Sequence, residues 1–241
     1  MNKSPQRQQG TYDLSSFQNQ SDELVRLKRQ ASLLPQLELD SLKKHGLKPH
    51  MKVLDAACGP GLTASIIHDY LTTGHVTGVD LDASLLIEAR RMAKQSRKAI
   101  RFRQADVYDL PFENEFDYIY CRFLFQHLED PQRALASLSR ALKPGGTLHI
   151  LDVNDEWLFM YPEISEFRIF CQIAAEHQQR KGGNRFIGKA LHHLFKHTGF
   201  EMIQPDVVTI TSDMIGLETF LQITTRFKLE IIEPEWCETN P

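Results

Sequence analysis

Cysteine is sparse in this sequence and never paired. Its four cysteines, Cys58, Cys121, Cys171 and Cys237, stand far apart. No Cys-x-x-Cys exists, which excludes a zinc ribbon and a thioredoxin-like redox motif. Isolated thiols with apolar flanks point instead to a reducing compartment, and a cytoplasmic location is expected. No run approaches the roughly 18 apolar residues of a membrane span. The N-terminal stretch MNKSPQRQQGTYDLSSFQNQ lacks the apolar core of a secretory signal. Basic charge is not in excess: 28 Lys and Arg against 31 Asp and Glu leave a net charge of −3. No strong field therefore draws nucleic acid or an anionic membrane. Repeats of about 20–50 residues are absent, which argues against solenoids and propellers. His192, His193 and His197 cluster, and the last two share a helix face. A metal site would need a third ligand, and no His-Glu-x-x-His is present. A solvated face and no metal are expected there.

What the chain does have is alternation. Helices are expected from Ser21, with Ser21 as cap, and over Leu37 to His45, with a break at Pro35 and a stop at Gly46. Short apolar strands then alternate with helical patterns. Strands are read at 52–56, 75–80, 100–105, 116–121 and 147–153, and helices at 62–71, 84–96 and 131–142. This rhythm predicts an α/β fold: a doubly wound, mostly parallel sheet with helices on both faces. Residues 154–185 break the rhythm, being aromatic-rich and helical, and Gly182–Gly183 gives a flexible joint. Arg180, Lys181 and Arg185 are read as solvated around that joint. A helix over 186–197 and a strand over 202–211 follow. Leu217, Phe220, Leu221, Thr224, Phe227 and Ile231 recur at helical spacing.

The strongest local signal is Val53-Leu54-Asp55-Ala56-Ala57-Cys58-Gly59-Pro60-Gly61. A strand ends in a glycine turn and a helix follows. Gly59 and Gly61 allow a tight turn and a close approach of backbone to ligand. With Ala64, the run also passes a relaxed dinucleotide pattern, so an NAD(P)-dependent oxidoreductase is one reading. Two acids shift the choice. Asp55, at the strand end, would repel a pyrophosphate but suits the cationic aminoacyl end of S-adenosylmethionine. Asp80 ends the next strand and can accept from both ribose hydroxyls, which serves either cofactor. Asp106 follows the third strand, where a carboxylate can accept from an adenine amine. Any one of these acids alone reads equally well as a turn or helix cap. Together they line one rim of the sheet.

VLDAACGPG, GVDLDASLL, QADVYDLPF and KPGGTLHILD, in that order, resemble class I S-adenosylmethionine-dependent methyltransferases, in particular the ubiquinone/menaquinone-methyltransferase-like group. The likeness covers about residues 21–211. It implies a seven-stranded Rossmann-like sheet, although the terminal strand is not evident in this sequence. It places the methionine moiety against Asp55, Ala56 and the Gly59–Gly61 backbone. Asp80 would hold the ribose, Leu81 would lie beside the adenine, and Asp106 and Val107 would border it. Cys121 and Arg122 follow the fourth strand, where the family's backbone approaches the methionine part. The N-terminal helix resembles one that closes over the cofactor, and its Arg26 and Gln30, one turn apart, could reach the carboxylate. Many relatives carry paired histidines after the fourth strand; here the run is Phe125-Gln126-His127.

These readings give a domain plan. Residues 1–20 are expected to be disordered, 21–48 to form a helical cap and 49–153 the cofactor-binding core. Residues 154–185 would be a helical lid, with Met160, Tyr161, Phe167 and Phe170 able to wall an apolar substrate pocket, and 186–241 would complete the core. Methyl transfer is an in-line displacement that needs a base only if the acceptor arrives protonated. His127 is the candidate base, on the strength of its ordinary titration range. Asp152, at the end of the fifth strand, could orient the acceptor or take a proton. No Asp/Asn-Pro-Pro-aromatic run or Pro-Cys follows strand four, where nucleic-acid methyltransferases would place them. No carboxylate-rich magnesium site is clear. A small-molecule acceptor is therefore expected, and a non-catalytic S-adenosylmethionine-binding module is the third reading. Oligomeric state is not legible.

Overall fold

The computed structural model describes residues 19–231, with side chains through 229. Most of the segment expected to be disordered, together with Cys237 and the last ten residues, lies outside them.

Five strands form one parallel sheet: β1 Lys52–Ala56, β2 His75–Asp80, β3 Arg101–Gln104, β4 Phe116–Arg122 and β5 Leu142–Leu151, in the order β3-β2-β1-β4-β5. The chain runs outward from β1 to β3, then returns to the other side for β4 and β5. The switch in direction falls between β1 and β4, where open α/β sheets bind ligands beyond their carboxyl ends. Asp55 lies opposite Tyr120 there, and Ala56 opposite Cys121. Pro144–Gly146 is absorbed as a bulge: Phe116 opposes Leu142 while Tyr118 already opposes Thr147.

Strand alternation builds two cores. Leu54, Ala56, Ile119 and Cys121 face α5 (Pro131–Ala141) and α7 (Ile187–Lys196), against Leu135, Leu138 and Ile187. Val53, Val76, Tyr118 and Tyr120 face α2 (Pro35–Lys44) and α3 (Leu62–Tyr70), against Leu42, Ala64 and Ile67. Each fully buried aliphatic side chain contributes about 1.5–3 kcal/mol, so both faces must be covered. α4 (Ala83–Gln95) lies against β2 and β3. Asp82 caps it by accepting from Ser84 and Leu85 N–H.

α1 (Gln20–Ser32) is capped by Asn19, which accepts from Ser21 and Asp22 N–H, and not by Ser21 as the pattern suggested. Pro35 opens α2 at its first turn, where a missing N–H costs nothing. α6 (Ser165–Arg180) is the one long helix of the aromatic-rich stretch. The expected strand at 202–211 does not form: that segment joins no ladder. The sheet accordingly has five strands among the described residues, against the seven that the resemblance implied. Beyond it α8 (Ser212–Ile215) and α9 (Leu217–Leu221) lead through a π-helical turn, Gln222–Arg226, into α10 (Phe227–Ile231). This last helix returns to α1, where Arg29 donates to Gln222.

Candidate functional site

β1 ends at Ala56, and the chain turns through Ala57 (φ +61) and Gly59 (φ +52) into Gly61 (φ +80), which caps α3. The two glycines serve different needs. A Cβ on Gly61 would sit 2.9 Å from the Phe102 ring and 3.0 Å from Ala89, so this position is held by packing. A Cβ on Gly59 would meet nothing within 4 Å, so its backbone faces open space, as a ligand-cradling turn must. Cys58 N–H pairs with Val79 O, and Gly59 N–H donates to Asp80 Oδ2 at 2.8 Å. The loop is thereby pinned to the end of β2.

Asp55 is the unusual group. It is 1% exposed, and its Oδ2 has no hydrogen-bond partner. Burial pushes its pKa up to about 8, and the neighbouring Glu38 and Asp80 add to the shift. The Ala64 N–H and Arg122 pull weakly the other way. A buried carboxyl with an unpartnered oxygen among two other acids is costly to the fold, a cost that a cationic partner would relieve. Asp80 is pushed up to about 6 by burial, against the pull of Asp82 and Gly59 N–H on its two oxygens. A carboxylate has about four lone-pair sites, so Asp80 still has capacity for hydroxyl donors. Leu81 beside it is 41% exposed. Asp106 accepts from Tyr108 N–H at 2.9 Å and caps the short 3₁₀ turn Val107–Asp109. That is the turn-cap role open to it from the start, and it leaves Val107 half-buried on the same rim.

On the β4 side the Cys121 side chain is fully buried in the core, so only its backbone can border the rim. Arg122 acts as a clasp: its Nη2 donates to Gln30 O at 3.0 Å, and its Nε stands 3.4 Å from Glu38 Oε1. Thr63 Oγ1 donates to the same Glu38 oxygen. The next residue, Phe123, adopts φ +54, a strained backbone for an aromatic residue. Arg26, expected to reach outward with Gln30, is bound to Glu23 by two hydrogen bonds and donates weakly to Gln30 itself.

Two expectations about chemistry change. His127, read as a base near neutrality, is pulled down to about 3 by burial and by the charges of Arg185 and Arg26. It is neutral at physiological pH and too weak a base for the role suggested. Asp152 accepts from Phe125, Gln126 and Val153 N–H and so fixes the 3₁₀ turn Phe125–His127. Burial nonetheless lifts its proton to about 7. Among the described residues, no group of three or more His, Cys, Asp or Glu could hold a metal ion.

Arg185, read as solvated, is 6% exposed. It pairs with Asp155 at 2.8 and 3.0 Å and donates to Gln126 Oε1. Lys228, 1% exposed, joins Asp155 at 2.8 Å. Arg26 and Arg185 both lie against the Phe227 ring, at 4.7 and 5.3 Å. Of the apolar residues proposed to wall a pocket, Tyr161 is instead 95% exposed, while Met160, Phe167 and Phe170 are half-buried.

The sheet order and the glycine turn define a Rossmann-like fold, with acids at the ends of consecutive strands along one rim. Residues 54–150 match the methyltransferase domain family. A ubiquinone/menaquinone biosynthesis C-methyltransferase of Bdellovibrio bacteriovorus is 38% identical over 112 residues, covering 46% of this chain and 48% of that protein. A 2-phytyl-1,4-naphtoquinone methyltransferase of Trichormus variabilis is 37% identical over 136 residues, covering 55% and 57%. The chain spans about half the length of these relatives, and 27% and 47% of two uncharacterised ones. The crystal structure of a SAM-dependent methyltransferase from Aquifex aeolicus superposes with a TM-score of 0.59 at 20% identity, over 76% of this chain and 89% of that one, and shares the fold.

Proposed function

We propose that the protein is an S-adenosylmethionine-dependent methyltransferase that acts on a small-molecule acceptor by in-line transfer. The observation that carries this reading is Asp55, whose buried, unpartnered Oδ2 beside Glu38 and Asp80 suits a cationic ligand. The methionyl ammonium would take that position, with the Gly59 backbone along the methionine part and Asp80 on the ribose. Leu81, Asp106 and Val107 would border the adenine, and the Cys121–Arg122 backbone would close the β4 side. When bound, the sulfonium supplies an activated methyl group.

The chain's own residues orient and enclose. Arg122 ties α1 and α2 to the rim through Gln30 and Glu38. Asp152 holds the turn that carries Gln126 and His127. We assign 21–48 as the cap, 49–153 as the cofactor half, 154–185 as the acceptor side and 186–241 as the closing segment. An NAD(P) oxidoreductase is disfavoured, because a pyrophosphate would meet the buried Asp55 and Glu38 and the half-buried Asp80. The absence of a basic stripe favours a small molecule over nucleic acid, and the free thiols Cys58, Cys121 and Cys171 suit a reducing, cytoplasmic setting. No helix among the described residues is long and apolar enough to cross a membrane.

The test is incubation with labelled-methyl cofactor and a metabolite extract, followed by mass spectrometry. A labelled small molecule that is missing with Asp55→Asn supports the reading. Cofactor binding without any labelled product would favour the binding module.

A further inference from the structure

Two buried cations meet one carboxylate beside the rim. Lys228 is 1% exposed and Arg185 6%. Arg185 takes both oxygens of Asp155, and Lys228 shares Oδ2 with it. An ammonium carries three donors, and among the described residues Asp155 is the one acceptor that Lys228 reaches.

The acids nearby do not restore the balance. Glu23 is bound to Arg26. Asp152 faces Arg185, but three backbone N–H groups occupy it, and burial holds its proton up to about 7. The Cys171 thiol beside Lys228 is pushed up by burial and carries no charge near neutrality. Burying a cation without a partner is expensive, so a cluster with one surplus cation favours an anion. Arg185 also lines a cavity of about 150 Å³ with Ala175, Gln179, Gly183, Asn184 and Phe186. A cavity of roughly this volume can hold a benzene ring.

We propose that Arg185 and Lys228 form an oxyanion receptor, and that the methyl acceptor is a small aromatic acid or phenol that docks as its carboxylate or phenolate. The receptor is tied to the β4 side of the rim: Arg185 donates to Gln126, four residues beyond the end of β4. Arg26, which shares the Phe227 ring with Arg185, is one turn of α1 from Gln30 and the Arg122 clasp. An acceptor held this way arrives already ionised, which fits a rim where His127 cannot serve as base near neutrality. The proposal depends on the methyltransferase reading only in naming the bound anion as acceptor.

The test is calorimetric titration of benzoate and of its neutral isostere benzamide, into free protein and into protein saturated with S-adenosylhomocysteine. Benzoate should bind at least tenfold more tightly than benzamide. Lys228→Met should abolish that preference while leaving S-adenosylhomocysteine affinity within twofold, and Lys228→Arg should restore it. Equal binding of the two probes, benzoate binding that survives Lys228→Met, or no benzoate binding in either state overturns the proposal. Failure of S-adenosylhomocysteine to bind would sink the cofactor reading instead, with the benzoate result still readable on the free protein. Should Lys228→Met fail to fold, Lys228→Gln keeps a polar group at that position and is judged by the same criterion.

Discussion

Replacing Asp55 by Asn should make the ligand-free protein more stable, and the gain should depend on pH. In the fold the Asp55 carboxyl holds its proton up to about 8, against 3.8 for the ordinary group. Between those values the native state carries a proton that the unfolded chain has released, so this group lowers stability as pH rises from about 4 to about 8. At pH 7 the cost is roughly 4 kcal/mol, and at pH 5 about 1.5 kcal/mol, at about 1.4 kcal/mol per unit. Asn has no such proton, but its buried amide lacks partners at a cost of about 1–3 kcal/mol. The variant should therefore gain about 1–3 kcal/mol at pH 7, worth roughly 2–10 °C in Tm for a chain of this size. Near pH 5 the gain should vanish or reverse. Thermal unfolding of both proteins from pH 5 to 8 reads this directly. A Tm difference that stays constant across the range, or a loss at pH 7, would refute the picture of a destabilised, ligand-awaiting acid.

Other outcomes follow from the same geometry. Gly61→Ala forces a Cβ against Phe102 and Ala89 at positive φ, and should cost about 2–4 kcal/mol in chemical denaturation. Gly59→Ala meets open space, so its cost should stay near ~1–2 kcal/mol from φ alone, while cofactor affinity falls at least tenfold. Arg122→Met leaves the buried Glu38 without its cation; it should cost about 3 kcal/mol and expose α1 to protease. His127 and His149 are held neutral, at about 3 and about 4 against 6.5. Their contribution is full above pH 6.5 and is lost as pH falls toward 4, where the unfolded chain takes up protons first, so replacing both with Gln should flatten the acid limb of the stability profile.

The core of the fold was readable because parallel strands buried on both faces leave an apolar mark every few residues, and the Gly59–Gly61 turn interrupts it in a recognisable place. Asp55 and Asp80 could be located as acids at consecutive strand ends. The strand expected at 202–211 does not form because the strand propensity of Val207, Val208 and Ile210 means little without a ladder partner; Pro205 also removes a donor. Arg185 looked solvated because its partners Asp155 and Gln126 lie 30 and 59 residues before it, and Lys228, which shares Asp155, comes from the last helix. No local pattern reports such a meeting. Glu38 was missed although a signal existed. It lies four residues before Leu42 on the buried face of α2, just as Glu23 lies eight before Ala31 on α1, and an acid on an apolar stripe calls for a partner.

The most direct test of the charge-cradle account is calorimetric titration of S-adenosylmethionine and S-adenosylhomocysteine into the wild-type protein and into Asp55→Asn. The account predicts one site per chain with micromolar affinity, proton release on binding near pH 7, and at least a tenfold loss in the variant. Absence of heat with both ligands, or equal affinity in the two proteins, would contradict it.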